Sequence, residues 1–159
     1  MRVFEASDIV EIAVRIEENG ANFYRFAEQI AKQEEAKKLF AHLAVEEGRH
    51  KKIFEGLFAQ MEKANPPEGY EGEYSSYLRD YVDNNIIFTK EVMDKELAKI
   101  KDTVSALDFA IKRELDSILY YHEIKRFVSA AQHTTLDQII AEERKHFTTL
   151  SEVKKRYEA

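Results

Sequence analysis

Cysteine is absent from the 159 residues, and that excludes a disulfide, a zinc–thiolate site, an iron–sulfur cluster and thiol chemistry. Basic residues are outnumbered: 24 Lys and Arg against 30 Asp and Glu leave a net charge of -6. A nucleic-acid surface would be basic, so nucleic acid is not an expected partner. Long apolar runs are missing too. The opening Met1-Arg2-Val3-Phe4-Glu5 lacks the apolar core of a signal peptide. No stretch approaches the ~20 apolar residues of a membrane span. The expectation is a cytoplasmic protein with no membrane partner. Nothing reads as a strand, a low-complexity tail or a second domain. A hydrophobic fraction of 44% over 159 residues suits one all-α domain, 1–159, with a real core.

What the chain does contain is a repeated E-x-x-H: Glu47-Gly48-Arg49-His50 and Glu143-Arg144-Lys145-His146. On a helix, residues three apart share one face, so a carboxylate and an imidazole can grip one metal ion. Both motifs lie in an apolar stripe. One reads Ala36, Phe40, Leu43, Glu47, His50, Phe54, Leu57; the other Leu136, Ile139, Glu143, His146, Leu150, Val153, Tyr157. The spacing of three and four is that of a buried face. Charge among Leu and Phe is expensive unless something compensates it, and a metal would.

Two more stripes each carry one acidic intruder: Val10, Ala13, Glu17, Gly20, Tyr24, Ala27, Ala31, and Leu107, Ala110, Glu114, Ser117, Tyr121, Ile124, Val128. The chain therefore repeats internally. Glu17 maps to Glu114, Gly20 to Ser117 and Tyr24 to Tyr121 at an offset of 97 residues; Glu47 maps to Glu143 and His50 to His146 at 96. One Glu from each of two helices, plus Glu-x-x-His from each of two others, is the ligand set known from di-iron and di-manganese carboxylate four-helix bundles. Glu18, Glu46 and Glu142 are the adjacent rivals for Glu17, Glu47 and Glu143; the stripe frame selects the latter. His42, His122 and His133 have no acidic residue three before them and read as surface or turn residues.

In chain order, Ser7 or Asp8 caps a first helix running to about Lys32. The second runs to about Ala64, where Asn65-Pro66-Pro67 ends it. Residues 65–76 form a loop. The text is helical again to about Thr103, broken near Asp83-Asn84-Asn85. This is a long crossover, about 65–104, between helices 2 and 3. Its Ile86-Ile87-Phe88 either packs on the bundle or makes a homodimer contact. Ser105 or Thr103 caps the third long helix, which runs to about Ala130. Gln132-His133-Thr134-Thr135 is the turn, and Thr134 or Thr135 caps the fourth.

Four inward carboxylates carry four negative charges, which two divalent ions balance; without ions some must be protonated. Oxygen and imidazole donors suit iron, manganese or zinc. The expected arrangement has Glu47 and Glu143 bridging both ions. Glu17 and His50 complete one, and Glu114 and His146 the other. Small Gly20 and Ser117 leave room one turn from the terminal carboxylates. The Tyr24 and Tyr121 hydroxyls are within reach of hydrogen bonds to the bridging carboxylates, unless they serve only core packing.

These four motifs together resemble the rubrerythrin branch of the ferritin-like superfamily. The resemblance implies a ferritin-like four-helix bundle holding two iron ions. It implies redox chemistry with hydrogen peroxide or dioxygen as the small substrate. It implies either an oxidoreductase of the peroxide-reductase or ferroxidase type, or a protein that handles iron without turnover. The chain departs from the family in two respects. The rubredoxin-like domain, which needs four Cys, is absent, so a reductase would need a separate electron-donor protein. The extra Glu that the family carries one turn after the third-helix ligand is Ser117 here.

Overall fold

The apolar stripes become the inner faces of four long helices in the computed structural model, which describes residues 6–61, 80 and 90–158. Helix α1 covers Ala6–Ile30, α2 Glu34–Met61, α3 Lys90–Leu97, α4 Thr103–Ile124 and α5 Ala130–Glu158. No strand occurs among the described residues. Every stripe residue is buried except Gly20, Ser117 and Tyr157, which are half-buried. A fully buried Leu, Ile or Phe contributes about 1.5–3 kcal/mol over leaving it in water. That burial, more than helix propensity, holds helices of this kind.

The core forms two apolar clusters. One gathers Ile9, Val10, Phe54, Tyr120, Leu136 and Ile139; the other gathers Phe23, Phe40, Leu43, Leu107, Leu150 and Val153. The sequence positions of Glu17, Glu47, Glu114 and Glu143 fall between these two sets on their helices. A polar layer thus divides the core. No helix among the described residues is long and apolar enough to cross a membrane.

Several helix ends differ from the sequence expectation. Helix α1 already includes Ala6, the first described residue, so Ser7 and Asp8 lie within the helix and do not cap it. It stops at Ile30 rather than Lys32, because the Lys32 N–H leaves the helix ladder and donates to Thr103 Oγ1 at 3.1 Å. Helix α4 is capped by Asp102, not by Thr103 or Ser105; Ser105 is the reciprocal partner three residues in. The Ser105 N–H donates to Asp102 Oδ1 at 2.8 Å, and the Asp102 N–H to Ser105 Oγ at 3.2 Å. Helix α4 ends at Ile124, short of Ala130, and a 3-10 turn spans Lys125–Phe127. The next turn is at Val128–Ser129, so Gln132–Thr135 belong to α5 and Thr134 and Thr135 are not its caps. His133 is a helix residue here, and its Nε2 meets the Lys125 carbonyl at 2.8 Å.

The crossover is described only in its last part. Helix α3 ends at Leu97, before the expected Thr103, and Met93 and Ile100 are buried in the second apolar cluster. The end of helix 2 at Ala64, the 65–76 loop, Asp83–Asn85 and Ile86–Phe88 lie outside the described residues.

Candidate metal centre

Four helices each deliver one turn of side chains to the polar layer. Glu17 comes from α1, Glu47 and His50 from α2, Glu114 from α4, and Glu143 and His146 from α5. Among the described residues these six are the buried acidic and basic side chains, with none above 7% exposed. They gather into two groups: Glu17, Glu47, His50 and Glu143, and Glu47, Glu114, Glu143 and His146. Within each group the donor atoms lie within 4.8 Å of one another. Glu47 and Glu143 belong to both. The two imidazole centroids are 5.9 Å apart and nearly parallel.

The inner nitrogens are the Nδ1 atoms. His50 Nδ1 is 2.8 Å from Glu143 Oε1 and 3.6 Å from Glu17 Oε2. His146 Nδ1 is 2.9 Å from Glu143 Oε2, 3.8 Å from Glu47 Oε1 and 3.9 Å from Glu114 Oε1. The His50–Glu143 pair is close enough for a hydrogen bond but not aligned as one: Nδ1 and Oε1 are both without a hydrogen-bond partner, as are Glu17 Oε2 and Glu47 Oε1. Buried polar atoms left in this way are costly. They are instead donor atoms converging on shared points, which is how residues that hold a cation are arranged.

The electrostatics agree. Burial, then neighbouring carboxylates, pushes the Glu47 and Glu114 carboxyls well above their ordinary range. Burial and Glu17 also raise Glu143, against the pull of His50. Burial alone would lower His50, but Glu143 and Glu17 outweigh it and raise it from 6.5 to about 11. His146 is lowered, chiefly by burial. The bare cluster therefore holds protons that a dication would replace.

The tyrosines do not bond the bridging carboxylates, as the sequence suggested. Tyr24 of α1 donates to Glu114 of α4, and Tyr121 of α4 donates to Glu17 of α1. The helices exchange their partners: each tyrosine reaches across to the terminal carboxyl of the other repeat. Burial and the nearby carboxylates raise both phenols, so both stay protonated donors. The room that Gly20 leaves is partly taken by Glu47: a Cβ there would stand 2.5 Å from Glu47 Oε2.

The rivals point outward. Glu18 is exposed and pairs with Lys51 at 3.2 Å. Glu46 pairs with Arg49 at 2.9 Å. Glu142 pairs with Arg49 and lies 2.7 Å from His50 Nε2. His42 and His122 are exposed. Sequence reasoning missed the part played by Arg49 and Glu142 around His50. Partly burying Glu142 works against its ionisation, but His50 and Arg49 hold its carboxyl below the ordinary value. An ionised Glu142 can only accept, so Nε2 keeps its proton, and the inward Nδ1 is the nitrogen that would release its own to a cation. A cavity of about 40 Å³ between α1 and α4 reaches Glu47 and Glu114 beside Gly20 and Ser117.

The rubrerythrin family model matches residues 8–154. A solved Thermotoga maritima structure, described as a ferritin-like diiron-carboxylate protein, is similar over 98% of this chain and 97% of that one. The two are 30% identical, with a TM-score of 0.71. No curated protein matches the chain.

Proposed function

The chain belongs to the rubrerythrin family and has the ferritin-like fold, and from that premise we propose that it is a cytoplasmic di-iron oxidoreductase acting on hydrogen peroxide or dioxygen. The observation that carries the reading is the buried cluster, two groups of carboxyl and imidazole donors that share Glu47 and Glu143. In this reading Glu17 and His50 hold one iron, Glu114 and His146 hold the other, and Glu47 and Glu143 hold both. The donor set fits: it is hard oxygen with imidazole, inward atoms lack other partners, and two dications balance four carboxylates. Manganese or zinc would fit the same donors; the redox reading selects iron.

A reduced iron pair would supply the two electrons that turn hydrogen peroxide and two protons into two waters. The chain supplies everything around that chemistry. Tyr24 and Tyr121 hold the terminal carboxyls in place by donating to them. The two apolar clusters keep bulk water out, which strengthens the electrostatics of the layer. The 40 Å³ cavity beside Glu47 and Glu114 leaves space for a few water-sized atoms, enough for peroxide or dioxygen. With no Cys in the chain, the electrons that restore the reduced state come from a separate donor protein.

Anaerobic titration of the ferrous-loaded protein with peroxide tests the reading. One peroxide should oxidise one iron pair, followed by ferric absorbance. Bound iron that stays ferrous would replace it with metal handling without turnover.

A further inference from the structure

We infer that the two ion positions are unequal by construction: the Glu17–His50 position is tight and closed, the Glu114–His146 position is exchangeable, and Glu142 is the positioning residue that makes the difference. The inference rests on the metal-centre reading and adds a ranking that the internal repeat alone would not give.

Under the 96-residue offset, Glu46 corresponds to Glu142 and Arg49 to Lys145. A symmetric site would set Glu142 against His50 and Glu46 against His146. Only the first pairing forms. His50 Nε2 is 2.7 Å from Glu142 Oε2, while Glu46 turns to Arg49 of its own helix at 2.9 Å. Arg49 ties both acids through one guanidinium nitrogen, Nη2. His50 is thus held at its outer ring edge, through Nε2, and is 0% exposed. His146 is 7% exposed and lines a groove of about 320 Å³ shared with Glu46, Glu142 and Lys145. The cavity between α1 and α4 reaches Glu47 and Glu114 but not Glu17. Each of these two openings thus reaches a terminal residue of the second position, Glu114 or His146, and neither is lined by Glu17 or His50. A ligating histidine held from behind by a carboxylate binds its metal more firmly, and losing that partner costs about 10–100-fold in affinity.

The test is an anaerobic titration of chelator-stripped protein with cobalt(II) alone, read by calorimetry and by visible cobalt absorption. The wild type should bind in two steps at least about tenfold apart. Glu17→Gln should remove the tighter step and Glu114→Gln the weaker. Both variants lessen repulsion among buried carboxylates and should fold, as circular dichroism would verify. Glu142→Ala should weaken the tighter step by about 10–100-fold and spare the other. Glu142→Gln keeps an acceptor for the Nε2 proton and should recover part of the loss. Two ions bound with a single affinity, or Glu142→Ala weakening both steps alike, would overturn the inference and leave the di-metal centre standing. No cobalt bound by the wild type would overturn both.

Discussion

Gly20 shows how tightly residue chemistry is set around the polar layer. Its missing side chain is the space that the Glu47 carboxylate occupies, 2.5 Å from where a Cβ would stand. The obstructed atom is the end of a flexible side chain, so Gly20→Ala should leave the helix intact, even with a gain of about 0.5–1 kcal/mol in the metal-free form. Metal affinity should fall by about tenfold or more as Glu47 is displaced. Thermal melts with chelator, set beside a metal titration, would separate the two effects; unchanged affinity would mean that Glu47 is not placed as described. At this scale the six clustered residues were legible because each interrupts an apolar stripe, and no solvated face explains that. The crossed tyrosine bonds were not legible, since spacing along one helix does not say which neighbour a side chain reaches. Glu142 reads along the sequence only as the rival of Glu143, and Arg49 only as a spacer in Glu47-x-x-His50; the packing of α2 on α5 sets both beside His50.

The elements were read well in their interiors and less well at their ends. Apolar periodicity is a property of whole helices and survived; capping depends on single side chains. In Asp102-Thr103-Val104-Ser105 three residues are competent caps, and the structure uses Asp102, with Ser105 as its reciprocal partner. Ser129-Ala130-Ala131-Gln132 has the S-x-x-Q form of a capping box. There the Gln132 side chain accepts from the Ser129 N–H at 3.2 Å, and the helix starts earlier than the threonines suggested. The cap at Asp102 also sets where α4 begins, and so the height of Glu114. Asp102→Ala should cost about 0.5–2 kcal/mol of stability, measured by denaturant unfolding of the metal-free protein. No loss would show that the Ser105 bonds do not hold that end.

For the whole molecule, the buried cluster makes stability without metal depend on pH. The Glu47, Glu114 and Glu143 carboxyls titrate above their ordinary 4.5 in the folded state. His50 titrates at about 11 instead of 6.5. Between unfolded and folded values each group binds more protons folded than unfolded, so stability falls as pH rises. The carboxyls contribute from about 4.5 upward, and His50 between 6.5 and about 11. His146 is lowered and acts oppositely, but it is a single group. Melts in chelator should show the midpoint falling from about pH 5 to pH 9; a flat or rising profile would contradict the buried cluster. Metal binding displaces those protons, so affinity should rise over the same range.

The central claim is that six side chains from four helices hold two ions. Elemental analysis of protein purified without chelator, before and after adding ferrous iron, tests it most directly. The account predicts two metal ions per chain after loading, with far fewer in a Glu47→Ala, Glu143→Ala double variant. Less than one ion per wild-type chain, unchanged by added ferrous iron, would contradict it.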